Sequence, residues 1–153
     1  MRPLVLPKRI VRLVGGAVPL VALAFAASHA SAGGTFNLLV SAKNPVTSLS
    51  TSEVKRLVSG GSKTWETGAG VAQLGIIPGD APETSYLATM LDTTPRELMS
   101  MIQQQVFKGE LRRPVPLRSS TDCAAHVSVT AGAYCIASAS TPVPDTARIV
   151  PIK

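Results

Sequence analysis

The stretch NPVTSLSTSEVKRLVSGGSKTWETG, residues 44–68, decides the fold of this chain. Ser50 and Glu53 form an S-x-x-E capping box, in which each side chain bonds the backbone N–H of the other residue at the first turn of a helix. An apolar stripe follows at helical spacing, formed by Val54, Leu57 and Val58. Gly60 can take the left-handed backbone that ends a helix, and a helix this short is stable only when its stripe packs on other structure. The stretch therefore predicts a two-turn helix docked on a sheet.

Two further features frame this helix. Pro45 biases Asn44 away from helical geometry, so the Asn-Pro pair predicts a turn before the helix. Trp65 is the one tryptophan of the chain, and it follows the helix in a loop flanked by glycines. We expect its ring to fill the seam between the helix and the next strand.

The first 32 residues have the three parts of a secretory signal peptide. Four basic residues (Arg2, Lys8, Arg9 and Arg12) come first without an acid, and Leu13 to Ala27 is apolar. Ala30-Ser31-Ala32 is a small-x-small cleavage site. The alternative is an uncleaved membrane anchor, but the apolar run is shorter than the roughly 20 residues that a spanning helix needs. We expect cleavage after Ala32 and a mature protein, residues 33–153, that is periplasmic or secreted and has no membrane span.

The basic charge of the whole chain comes mostly from this segment. Four of the fifteen basic residues and none of the nine acidic ones lie in it, which leaves eleven against nine in the mature chain. A nucleic-acid partner is therefore not expected. The remaining length of about 120 residues suits one domain with its own core.

The rest of the chain alternates predicted strands and helices, which indicates an α/β fold with short helices packed on a mixed sheet. The predicted strands cover residues 36–40, 71–77, 134–139 and 148–152. Asp80 is expected to cap a helix that opens at Ala81-Pro82, with Glu83 as its N3 partner.

A longer helix is predicted from Pro95 to about Phe107. Thr94 and Glu97 give it a second capping box, and its inner face includes Leu98, Met101, Ile102, Val106 and Phe107. Residues 111–118 contain two prolines and predict an extended connector, and Ser119 or Ser120 opens a last short helix.

Catalysis and metal binding have little support in the sequence. His126 is the one histidine of the mature chain, and a lone histidine beside apolar residues is usually structural. Nucleophile-elbow, P-loop and zinc-protease motifs are absent from the sequence, and one histidine with two cysteines does not complete a tetrahedral metal site. Arg112, Arg113 and Arg118 form a basic cluster, which we interpret as a solvated connector because no aromatic residues interleave it. We expect a non-enzymatic protein without a cofactor.

The chain resembles the phosphate-type periplasmic solute-binding proteins that serve ABC importers. The resemblance rests on the Asn-Pro turn, the short helix ending in glycine and the Trp-Gly loop. It extends to a Thr-Pro helix and to a Gly-Ala-Tyr turn into a strand. The matching residues are Asn44, Pro45, Leu49, Leu57, Gly60, Trp65, Gly68, Thr94, Pro95, Val106, Phe107, Lys108, Gly109, Gly132, Ala133 and Tyr134.

This resemblance implies a single lobe of the family's two-lobed architecture. Residues 79–85 occupy the place of the family's oxyanion loop, where Thr84 and Ser85 keep donor hydroxyls while the family's arginine is missing. Asp80 and Glu83 would repel an anion. The first functional hypothesis is a module that binds phosphate or another small oxyanion as an accessory to a membrane transporter or sensor protein. The alternative is a structural or interaction module that kept the fold and lost ligand binding.

Cys123 and Cys135 are the two cysteines of the chain. The periplasm permits disulfides, and nothing basic adjoins either sulfur to favour redox chemistry. Two buried free thiols or a redox pair are the alternatives to a structural bond. In the arrangement implied by the resemblance, the last helix lies against the following strand, which places the two cysteines within bonding reach.

Overall fold

The computed structural model describes residues 35–153, so the expected signal peptide at residues 1–32 lies outside the described residues. The described elements are β1 (Phe36–Ser41), α1 (Thr51–Val58), β2 (Gln73–Ile76), α2 (Pro82–Met90), α3 (Pro95–Phe107), β3 (Val115–Pro116), α4 (Ser120–Val129), β4 (Ala133–Ser138) and β5 (Ala147–Val150). None of the helices in this part of the chain is long and apolar enough to cross a membrane.

The strands form one mixed sheet in the order β3-β2-β4-β1-β5. β2 runs parallel to β3 and β4, whereas β1 runs antiparallel to β4 and β5. Cys135 of β4 lies between Leu39 of β1 and Gly75 of β2, at the centre of the sheet. The α/β class with a mixed sheet is thus confirmed.

The two faces of the sheet carry separate apolar cores. The larger core lies under α1, α2 and α3 and includes Val40, Leu74 and Tyr134 from the strands. The smaller core lies under α4, where Cys123 and Val127 pack on Leu39, Cys135 and small residues of β4. Because buried apolar side chains face both ways from the sheet, the chain forms three layers.

The 44–68 stretch folds as predicted at its helix. The Ser50 Oγ accepts the Glu53 N–H at 3.2 Å, and a Glu53 carboxylate oxygen accepts the Ser50 N–H at 2.6 Å. The preceding turn is fixed by Asn44, which is fully buried and whose Oδ1 accepts the Val46 N–H at 3.1 Å. The Arg148 guanidinium of β5 donates to the backbone carbonyls of Asn44 and Val46. These bonds fasten the turn to the far edge of the sheet.

Trp65 is buried, as expected, but its main contacts lie further along the chain than the next strand. Its Nε1–H donates to the Gly132 carbonyl at 2.8 Å. Its ring packs edge-on against Tyr134 of β4, with ring centroids 5.7 Å apart. The loop after α1 is therefore attached to the start of β4.

The prediction that Asp80 caps α2 is wrong. Ala81 holds the N-cap position with ψ 143° and makes no side-chain cap bond. The residue before a proline avoids helical geometry, so Ala81 cannot open the helix and Pro82 takes its first position. Glu83 consequently sits one position too early for a capping box.

The second predicted capping box is confirmed. The Thr94 Oγ1 accepts the Glu97 N–H at 3.3 Å, and Glu97 accepts the Thr94 N–H at 3.1 Å. The placement of Phe107 on the inner face is wrong, because its side chain is 94% exposed. Phe107 follows the fully buried Leu98 by nine residues, which at 100° per residue turns it about 180° away from the core.

The proline-rich connector contains a strand that the sequence did not predict. Val115–Pro116 pairs with β2 in parallel and forms one edge of the sheet, where prolines are tolerated. Of the two candidate caps for the last helix, Ser119 is the one used, because its Oγ accepts the Asp122 N–H at 3.2 Å.

Candidate functional site

The loops that follow the parallel strands β2, β3 and β4 meet at one edge of the sheet, because parallel strands end on the same side. In open α/β sheets, ligands bind in the crevice outside the carboxyl ends of such strands. Residues 77–81 follow β2 and lead into α2, while residues 117–119 follow β3 and lead into α4. The predicted oxyanion loop, residues 79–85, lies at this carboxyl edge.

A chain of hydrogen bonds joins α2, α4 and β4 at the carboxyl edge. The Ser120 Oγ donates to Glu83 Oε1 at 2.5 Å and accepts the Ser138 N–H at 2.7 Å. The hydroxyls of Ser138 and Ser140 lie 2.9 Å apart. The Glu83 carboxylate therefore accepts the hydrogen bond of the Ser120 hydroxyl at the first residue of α4. The N-terminus of a helix is a position where an external anion would otherwise be favoured.

The two predicted ligand residues lie in the first turns of α2. Thr84 is buried, and its hydroxyl donates to the Ile77 carbonyl. Ser85 is half-buried, and its carbonyl accepts the Thr89 hydroxyl at 2.9 Å. The Thr84 hydroxyl proton is therefore used in a hydrogen bond that closes the loop after β2. Oxyanion binding by Thr84 and Ser85 stays a prediction.

A second candidate is a cavity of about 190 Å³ formed entirely by residues 45–67. Its wall is apolar around Leu57 and Trp65. Two of its lining residues form a salt bridge of 2.8 Å between the Arg56 Nη2 and the Glu66 Oε1, and both side chains are more than half exposed. The hydroxyls of Thr47, Ser48 and Thr64 also line it. The cavity combines an apolar wall, hydroxyls and charges of both signs.

A third feature is an open groove of about 470 Å³ between α3 and the β3 edge, here called the α3 groove. Its lining residues are mostly apolar: Ile76, Pro78, Met99, Ile102, Gln103, Val106, Phe107, Arg113, Pro114 and Pro116. Arg113 therefore belongs to this groove. Arg118 lies at the carboxyl edge, where its backbone N–H donates to the Asp122 carboxylate at 3.0 Å. The basic cluster expected from the sequence is split between two places.

His126 is half-buried, on the face of α4 that covers the sheet. A Cβ added to Gly75 would lie 2.9 Å from the His126 ring, and the His126 Nε2 is buried without a hydrogen-bond partner. Burial lowers the pKa of His126 below its ordinary value of 6.5. This environment supports a structural role for the imidazole.

The partly buried imidazole predicts a pH dependence of stability. The unfolded chain takes up the His126 proton near pH 6.5 and the folded chain only at lower pH, so stability should fall as the pH drops below 6.5. Urea unfolding at pH 7.5 and pH 5.5 measures this, at values where carboxylates stay ionised. In His126→Phe the decrease between the two pH values should become smaller, and an unchanged decrease would contradict the assignment.

No family model, curated protein or solved structure matches this chain significantly. The similarity to the phosphate-type binding proteins therefore remains a hypothesis drawn from the sequence.

Proposed function

We propose that this chain is an exported, non-enzymatic module of the phosphate-type solute-binding fold, in single-lobe form, that acts through protein contacts. The resemblance noted in the sequence favours a membrane transporter or a sensor protein as the partner. One observation carries the choice of protein contacts over oxyanion capture: the Glu83 carboxylate accepts the Ser120 hydroxyl at the carboxyl edge.

Oxyanion capture needs converging donors in a site free of negative charge. At the carboxyl edge the Ser120 hydroxyl is used by Glu83 and the Thr84 hydroxyl by Ile77. Pro82 has no N–H to offer at the start of α2. Asp80 and Glu83 add negative charge beside the few donors that remain. These features support a site in which the Glu83 carboxylate takes the place of an external anion.

Calorimetry of the exported protein in phosphate-free buffer tests the proposal. Titration with phosphate, sulfate and small organic anions should produce no binding heat. The Glu83 carboxylate should instead stabilise the fold through its hydrogen bond with Ser120. Because Glu83→Gln weakens a hydrogen bond to a charged group, it should lower the free energy of unfolding by about 1–2 kcal/mol. Glu66→Gln is the matched control, since Glu66 lies in an exposed surface pair and its loss should cost less.

Two results would overturn the proposal. One is phosphate binding with a Kd below about 100 μM (about −5.5 kcal/mol) that Ser85→Ala weakens. The other is an equal, negligible stability change for Glu83→Gln and Glu66→Gln.

The cavity within residues 45–67 favours a second candidate function, the capture of a small zwitterionic solute such as an amino acid. The Arg56 guanidinium and the Glu66 carboxylate both line this cavity, so a carboxylate and an ammonium on one ligand could replace the bond between them. Adding amino acids to the same calorimetric series tests this. Binding should be lost in Arg56→Gln and kept in Lys63→Gln, which breaks a separate surface salt bridge between Lys63 and Glu110.

A further inference from the structure

Phe107 is exposed in a way that folding does not explain. Its side chain is 94% exposed at the last residue of α3, although aromatic side chains usually bury large apolar areas. It stands between the α3 groove and a shallower depression lined by Ser100, Gln104 and Lys108. A contiguous apolar surface with a polar rim is typical of a protein interaction site.

The α3 groove is held by rigid elements. Leu98 and Ile102 anchor α3 in the core with at most 2% exposure. The opposite wall is formed by Pro114 and Pro116, whose rings restrict the backbone. The groove therefore exists before any partner binds, which reduces the entropy cost of docking.

Recognition at the α3 groove has to use side chains. The Leu117 N–H donates to the Ile76 carbonyl, so Leu117 directs its backbone N–H toward β2. Alternation along the strand turns the backbone nitrogen of Pro116 to the outer edge, but proline has no N–H. The Arg118 N–H, two residues further on, is already bonded to Asp122. An added strand would lack donors at the proline positions, so pairing at the β3 edge is disfavoured.

The rim of the α3 groove is basic. Arg113 lines the groove and Lys108 lines the adjoining depression at Phe107, and neither takes part in the two salt bridges found within residues 35–153. The nearby Glu110 is paired with Lys63 at 3.2 Å. The carbonyls of Gln104, Gln105 and Val106 at the end of α3 accept backbone N–H groups of residues 108–111.

We propose that the α3 groove docks a segment of a partner protein in which a large apolar side chain is flanked by carboxylates. The apolar side chain packs against Phe107 and the prolines, and the carboxylates pair with the basic rim. A second copy of this chain fits less well, because two-fold contact would bring two basic rims together. This inference rests on the proposed function, for which it names the kind of partner.

Selection from a displayed library of random 12-residue peptides tests the proposal without assuming a partner. The exported protein should select peptides that combine an aromatic or large aliphatic residue with aspartate or glutamate. In fluorescence anisotropy with a selected peptide, Phe107→Ser and Arg113→Glu should each weaken binding about tenfold or more. Val129→Ser is the matched control, because Val129 is also exposed, at 85%, but ends α4. It should leave the affinity within about twofold, a change under 0.5 kcal/mol.

Several outcomes would overturn the docking proposal. They are no selected peptide, selected peptides without acidic residues, or binding that Phe107→Ser does not weaken. Self-association in sedimentation that Phe107→Ser abolishes would assign the groove to a second copy. Binding to phosphatidylglycerol vesicles that Phe107→Ser abolishes would assign it to a membrane. Phosphate binding in calorimetry refutes the proposed function separately, since it concerns the carboxyl edge and leaves the peptide result standing.

Discussion

Replacing Trp65 with alanine should lower the free energy of unfolding by about 3–5 kcal/mol, the range for truncating a buried aromatic residue. Trp65 is 5% exposed and packs edge-on against Tyr134. The alanine variant loses this packing, and it also leaves the Gly132 carbonyl without the Nε1–H donor at 2.8 Å. Urea unfolding followed by circular dichroism measures the change.

Trp65→Phe is the matched control, because it keeps an aromatic ring and removes the N–H. Its loss of free energy of unfolding should be smaller than that of the alanine variant, because it loses only part of the ring instead of the whole ring. A loss below about 1 kcal/mol in Trp65→Ala would mean that the 44–68 stretch does not depend on this anchor.

Gly132 explains why Trp65 can reach β4 at all. Its carbonyl accepts both the Trp65 Nε1–H and the Gln73 N–H, at 2.8 and 3.0 Å. A Cβ at this position would lie 2.0 Å from the Val71 carbonyl oxygen, so only glycine allows the two segments to approach this closely. The loop after α1, the start of β2 and the start of β4 therefore meet at one backbone carbonyl.

Local features of the fold were predictable because they depend on neighbours in sequence. Both capping boxes, at Ser50 and at Thr94, form as predicted, and α3 has the predicted bounds. In each case the cap and its partner are three residues apart, so the sequence contains the whole interaction. The failure at Asp80 was also local, because the effect of Pro82 on Ala81 outweighs the preference of aspartate for capping.

Long-range contacts were beyond prediction because their partners are far apart along the chain. Trp65 bonds Gly132 across 67 residues, and Ser120 bonds Glu83 across 37. The second contact decides how the carboxyl edge is interpreted. The sequence predicted that Glu83 would help to cap α2, whereas in the structure its carboxylate accepts a hydrogen bond from Ser120 of α4. The exposure of Phe107 could have been found from helical geometry alone, by counting its angle from Leu98.

The disulfide is the long-range feature that the resemblance did anticipate. Cys123 and Cys135 are bonded in the structure, with their Cα atoms 5.9 Å apart. Cys123 lies in the first turns of α4 and Cys135 in β4, so the bond joins the helix to the strand beneath it. Among the described residues, α4 is the helix that covers the smaller core, and much of that core is built from alanine.

Removing this bond should therefore have a large effect. The chain-entropy model gives about 3 kcal/mol for a loop of about 13 residues. For a domain of this size, Cys123→Ser/Cys135→Ser should unfold about 10 °C below the parent. Calorimetric melting with and without dithiothreitol measures the change. The reductant should lower the melting temperature of the parent toward that of the double variant and leave the variant unchanged. Two thiols that alkylate freely in the native protein, or a parent insensitive to reductant, would show that α4 is held on the sheet by packing alone.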